Sequence, residues 1–196
     1  MPVYEEVGET DCEGRGKIVG MVSTAGRIFL DFSADTLRQQ GERIEDCLGR
    51  LSEDQVWARG GANENAVGNL VLHLCGNVRQ WIVSGVGGAA DIRRRDEEFA
   101  ATGGLPVAQL VERLRNTITD AEGVLRSVTE EHFLDRLVIQ GYDVTVLEAI
   151  YHVVEHFSGH TGQIVFATKM LTGTDLGYYR HLSTASANAG TGEPKP

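Results

Sequence analysis

The sequence predicts an all-α protein built as a four-helix bundle. Three observations carry that expectation. Four long segments each hold one apolar stripe at helical spacing. Strand-like alternation of apolar and polar residues is nearly absent. Cap signals bracket the last segment, with Thr145 and Glu148 in capping-box spacing before it and Gly173 behind it. The 196 residues suit one good core better than two, and no internal repeat is present. The bundle is assigned to residues 21–183, with an N-terminal extension at 1–20 and a flexible C-terminal tail at 184–196.

The segments follow in order. A first helix is expected over 24–50, with Leu37, Ile44, Leu48 and Leu51 on one face and Gly41 as an interior weak point. Ser52 and Gln55 mark a short helical turn, closed by Gly60 and Gly61. The second long helix runs from Asn65 to Ser84, with Val67, Leu70, Val71, Leu74, Val78, Trp81 and Ile82 as its core face. His73, Asn77 and Trp81 lie four apart along one edge of that face. Residues 85–104 read as a long Gly- and charge-rich loop, of a length that often borders a site. The third helix covers 106–127, opened by Pro106. Val138 to Asp143 reads as a short extended piece, too small to form a sheet alone. The fourth helix spans Val144 to Met170.

Composition excludes several classes. A net charge of −10 argues against nonspecific nucleic-acid binding, which requires basic surface. The densest basic cluster, Arg93, Arg94 and Arg95, is flanked by Asp91, Asp96, Glu97 and Glu98 and reads as a mixed, solvated loop. No glycine-rich nucleotide motif is present. No apolar run reaches membrane-spanning length. The first residues carry no apolar core of a secretory signal, and Cys12, Cys47 and Cys75 form no paired motif. A cytoplasmic protein without nucleic-acid or membrane partners is expected.

The fourth helix carries the chemistry. It holds His152, His156 and His160, half of the six histidines, each four residues from the next. Imidazoles at that spacing share a helix face, and adjacent ones can share one ion. His152 and His160 are about 12 Å apart along the axis, too far to meet on one ion. On a helical wheel His160 points most nearly into the apolar face, His156 lies beside it, and His152 lies further toward solvent. Gly159 and Gly162 leave space near His160. The third ligand is expected from His73, the histidine of the second long helix, whereas His132 and His181 sit in poorly periodic stretches. Three imidazoles with an open position suit zinc or nickel.

Two stretches carry a family resemblance. Gly68 to Trp81, GNLVLHLCGNVRQW, and His152 to Gln163, HVVEHFSGHTGQ, resemble the paired motifs of the DinB-like superfamily, also called YfiT-like. Leu51 to Trp57 resembles the element preceding that family's second helix. The likeness covers about residues 28 to 182. It implies a bundle of up-down-down-up order, often a homodimer, with a divalent metal on His73, His156 and His160. Some relatives transfer bacillithiol or use mycothiol to isomerise maleylpyruvate; many have no assigned reaction. Many members carry a second histidine or a basic residue beside the last ligand, where this chain has Gly159, Thr161 and Gly162. Substrate therefore cannot be carried over.

The expected function is a metal-dependent enzyme that transfers a low-molecular-weight thiol to a small electrophilic substrate. A hydrolase activating water at the metal and a non-enzymatic metal or ligand binder are the alternatives. Asn77, Glu155 and Gln163 are the candidates for supporting catalytic roles, with Glu155 facing away from His73 on the wheel. Trp57 and Trp81 read as pocket lining or core, and Tyr178 and Tyr179 as a cover or anchor at the bundle end. Cys75, two residues from His73, faces elsewhere and is no ligand.

Overall fold

A computed structural model describes residues 24–180. The extension assigned to 1–20, the tail at 184–196, Cys12 and His181 lie outside the described residues. Four long helices dominate: α1 (Ala25–Arg50), α3 (Val67–Val78), α5 (Val107–Ser127) and α6 (Val146–Thr172). Two short helices, α2 (Glu53–Trp57) and α4 (Arg95–Ala100), fill connections. Among the described residues no helix is long and apolar enough to cross a membrane.

Local chemistry sets the ends. Thr24 caps α1 by accepting the Arg27 N–H at 3.1 Å. Ser52 and Gln55 form a reciprocal capping box on α2. Asn69 Oδ1 accepts the Ala66 N–H at 3.0 Å at the start of α3. Thr145 and Glu148 form the box on α6, which ends at Gly173 in the left-handed conformation, φ 65°.

The long helices pack as a ring, α1 against α5 and α6, and α3 against the same two. Arg38 near Glu122 and Arg115 on Glu45 show α1 and α5 running antiparallel. At the core Leu30, Leu37, Ile44, Leu48, Leu74, Leu110, Leu114, Leu125, Ile150 and Ile164 are fully buried. Each such side chain contributes about 1.5–3 kcal/mol relative to exposure. Gly41 belongs to this packing: a Cβ there would overlap the Ile118 side chain of α5, so the missing side chain lets the two helices close. Every residue of α3 is buried, because α2 and α4 cover the sides that α5 and α6 leave open.

The mostly helical chain fits the all-α class, with one addition: β1 (Arg136–Ile139) and β2 (Tyr142–Thr145) pair antiparallel, Ile139 opposite Tyr142. The turn between them holds Gln140 at φ 54° and Gly141 at φ 82°, the twist that suits a two-residue hairpin. The hairpin stands because it packs on the end of the α3 segment. That segment ends near Ser84 as expected, at Val86, but its last part, Arg79–Val86, is π-helical. Residues 85–104 are not one loop, since α4 lies within them.

Candidate metal centre and pocket

His73 enters from the middle of α3, and His156 and His160 from successive turns of α6. The two segments run antiparallel here, because Trp81, two turns beyond His73, stacks on His152, one turn before His156. One ring nitrogen from each of His73, His156 and His160 lies within 4.8 Å of the others. His73 Nε2 and His156 Nε2 are 3.1 Å apart. The rings meet edge to face, with centroids 4.5 to 5.1 Å apart. The described structure thus brings together the three histidines named from the sequence.

Each imidazole is held differently. His73 Nδ1 lies 3.1 Å from Glu98 Oε2 and 3.1 Å from Arg93 Nη2. A guanidinium only donates, so the carboxylate is the partner that takes the Nδ1 proton. That fixes the tautomer and turns the Nε2 lone pair toward the cluster. Arg93 instead donates to Glu98 through Nε and Nη2, both at 2.8 Å. His160 Nδ1 donates to Gln163 Oε1 at 2.7 Å, which leaves its Nε2 lone pair available as well. His156 Nδ1 is buried with no hydrogen-bond partner among the described residues. The close approach of the His73 and His156 Nε2 atoms, the two inward lone pairs and an all-imidazole donor set fit a divalent ion.

Burial keeps the His156 and His160 rings neutral, as a metal requires. Burial pushes His156 down to about 3, and the neighbouring charges of His160, His73, His152 and Arg93 would push the same way. Burial also lowers His160, against the opposing hydrogen bond to Gln163. His152 is lowered by burial too. Burial alone would raise the Glu98 carboxyl, yet the hydrogen bonds from Arg93 and His73 outweigh it and hold Glu98 ionised.

A pocket of about 460 Å³ opens beside the cluster. Its walls include His73, Asn77, Trp81, Arg93, Arg95, Gln140, Tyr142, Val144, Glu148, His152 and His156. Asn77 is buried with Oδ1 unpartnered among the described residues. Gln163 supports His160, and Glu155 is exposed on α6. His152, which the wheel put further toward solvent than its two neighbours, is half-buried on the Trp81 ring, centroids 4.3 Å apart. Trp57 lies away from this pocket and donates to the Leu105 carbonyl at 3.3 Å. Tyr178 anchors to α1, donating to Asp46 Oδ2 at 2.8 Å. Cys75 is buried and its thiol is pushed up to about 11, so it stays protonated and unreactive.

The largest miss concerns Arg93 and Glu98, which the sequence placed in a solvated loop. Their side chains are 3% and 8% exposed, and they bind each other and His73. Isolated in sequence, RRRDEE reads as surface; the burial comes from α4 folding back over α3. The one available signal was the length of the connection.

Fold and site together define a largely helical protein with a three-histidine cluster at a pocket between two of its long helices. Residues 24–187 match the model of the family described as a protein of unknown function, DUF1572, and the chain belongs to that family. A crystal structure of a conserved protein from Enterococcus faecalis is similar, with a TM-score of 0.64 and 16% identity over 74% of this chain and 97% of that one. A histidine-to-alanine mutant of a mycothiol-dependent maleylpyruvate isomerase is similar over 69% of this chain and 60% of that one, with a TM-score of 0.50 and 12% identity. The family match and both likenesses agree with a DinB-like fold. No curated protein matches the chain.

Proposed function

We propose that this chain is a divalent-metal-dependent enzyme that uses zinc or nickel to transfer a low-molecular-weight thiol to a small electrophile. The observation that carries the reading is the convergence of His73, His156 and His160 within 4.8 Å beside an open pocket. The likeness to a mycothiol-dependent isomerase supports the thiol. The bound ion would supply Lewis acidity and hold a thiol as thiolate at neutral pH. Glu98 orients His73, and Gln163 orients His160. Trp81, Tyr142 and Val144 shield an electrophile from water. We read the helix order as up-down-down-up and the molecule as a homodimer. Apolar side chains exposed on α1 (Ile28, Phe32) and α6 (Tyr151, Phe166) support that assembly.

Elemental analysis of the untagged chain, beside His73→Ala, tests the reading. About one zinc or nickel per chain is expected, lost in the variant, together with thiol-dependent consumption of an electrophile such as chlorodinitrobenzene. Hydrolysis persisting without thiol would assign a hydrolase, and metal binding without turnover a binding protein. No metal, and no uptake of added zinc or nickel, would end the metalloenzyme reading.

A further inference from the structure

The pocket beside the histidines has an apolar flank and one uncommitted charge. Trp81 and Tyr142 line it as a tilted pair, ring centroids 6.4 Å apart, with Val144 beside them. Arg95 lines the same pocket from the start of α4. Among the described residues its guanidinium makes no hydrogen bond and no ion pair. It lies over the Phe99 ring, 4.9 Å from the centroid. That cation–π contact positions the group while leaving its in-plane N–H donors available.

The other charges in the wall are engaged. Arg93 is held by Glu98. Glu148 accepts the Thr145 N–H at 2.7 Å and the Thr145 hydroxyl at 2.9 Å. Asn77 adds an uncommitted polar group: it is 4% exposed, and its amide makes no hydrogen bond among the described residues. A ligand site is expected to combine apolar walls with a few polar groups awaiting partners.

We propose that this pocket takes a small carboxylate with a flat, apolar body. Arg95 pairs with the carboxylate through parallel N–H donors. Trp81 and Tyr142 flank the body, and the Asn77 amide meets a polar substituent. The inference names the substrate class for the enzyme proposed above and rests on that reading for catalysis, but the Arg95 contact itself requires no metal.

The test uses the full chain, as purified and again after chelation. Cinnamate and its uncharged amide are titrated by calorimetry into wild type, Arg95→Ala and Arg95→Lys. In chelated wild type the acid is expected to bind at least about tenfold more tightly than the amide, the scale of a charge-assisted pair. Arg95→Ala removes that preference and Arg95→Lys keeps part of it. Because Arg95 is exposed, the variants should melt with wild type, which separates lost recognition from lost fold. Equal binding of acid and amide by wild type, or an undiminished preference in Arg95→Ala, overturns the inference even if the metal is present. An acid preference that depends on Arg95 in a chain holding no metal sustains it while the metalloenzyme reading fails.

Discussion

Between α1 and α5 the contact is apolar at its centre and charged only at its rim. Leu37, Ile44, Leu110 and Leu114 are buried, Gly41 admits Ile118, and Arg115 meets Glu45 at 2.6 Å with the arginine largely exposed. Between α3 and α6 the arrangement is reversed. There His73, Asn77, Glu98 and the Arg93 side chain are buried beside His156 and His160. Burying polar and charged groups costs several kcal/mol each unless they are partnered, so stability alone does not account for the way α3 and α6 meet. One seam stabilises the fold. The other also holds a set of oriented nitrogens.

The contrast can be broken at several places. The largest effect is expected from Glu98→Ala, which strands the Arg93 charge and frees His73 to rotate. It should cost about 3–5 kcal/mol in denaturant unfolding and weaken zinc affinity about 10–100-fold. A variant with wild-type stability and affinity would show that the network orients nothing. In the other seam, Gly41→Leu should cost about 1–3 kcal/mol by overpacking against Ile118. Its zinc stoichiometry should be unchanged, and Ile118→Ala should recover part of the stability. If Gly41→Leu lost metal in the folded state, the two seams would be coupled and the contrast wrong.

Acid should act on the polar seam selectively. His156 binds its proton more weakly in the folded state than the usual 6.5. Its contribution to metal-free stability is therefore full above 6.5 and falls as pH drops from 6.5 toward about 3. Unfolding midpoints of the chelated chain at about pH 7.5 and pH 5 should show the fall, and His156→Asn should make it shallower. An identical fall in the variant would place the titration elsewhere. The smallest effect belongs to Arg115→Ala, which should leave the unfolding midpoint almost unmoved, since an exposed ion pair adds little. A clear loss there would mean the rim carries part of the load assigned to the apolar centre.

What could be read from the sequence follows the same division. The ends of α6 were legible because Thr145, Glu148 and Gly173 act through local backbone geometry. The pairing of His156 and His160 was legible because it is a property of one helix. His73 could be named as their companion because the resemblance and a second stripe agreed. Arg93 and Glu98 were hidden, since their burial depends on a fold-back that no local pattern encodes. The Trp81 ring against His152 was not legible, because the wheel knows the core face of its own helix and not a ring brought by another. The hairpin was half seen: Val138 to Asp143 reads as extended, but the turn at Gln140 and Gly141 was not legible, and the pairing rests on the π-helical stretch beneath it.

The position of α4 has a consequence for how such a protein diversifies. Arg93, Arg95 and Glu98 all belong to the stretch between the long helices, and none contributes to the leucine-rich core. That stretch fixes the orientation of His73 and supplies charge to the pocket wall. On the proposed reading, a descendant that keeps the Arg93–Glu98 pair on His73 could exchange Arg95 and meet a different substrate while inheriting the histidines and the helical frame intact. If the pocket takes the ligand proposed above, drift at the exposed Arg95 of this connector would alter what the pocket accepts before it altered the fold.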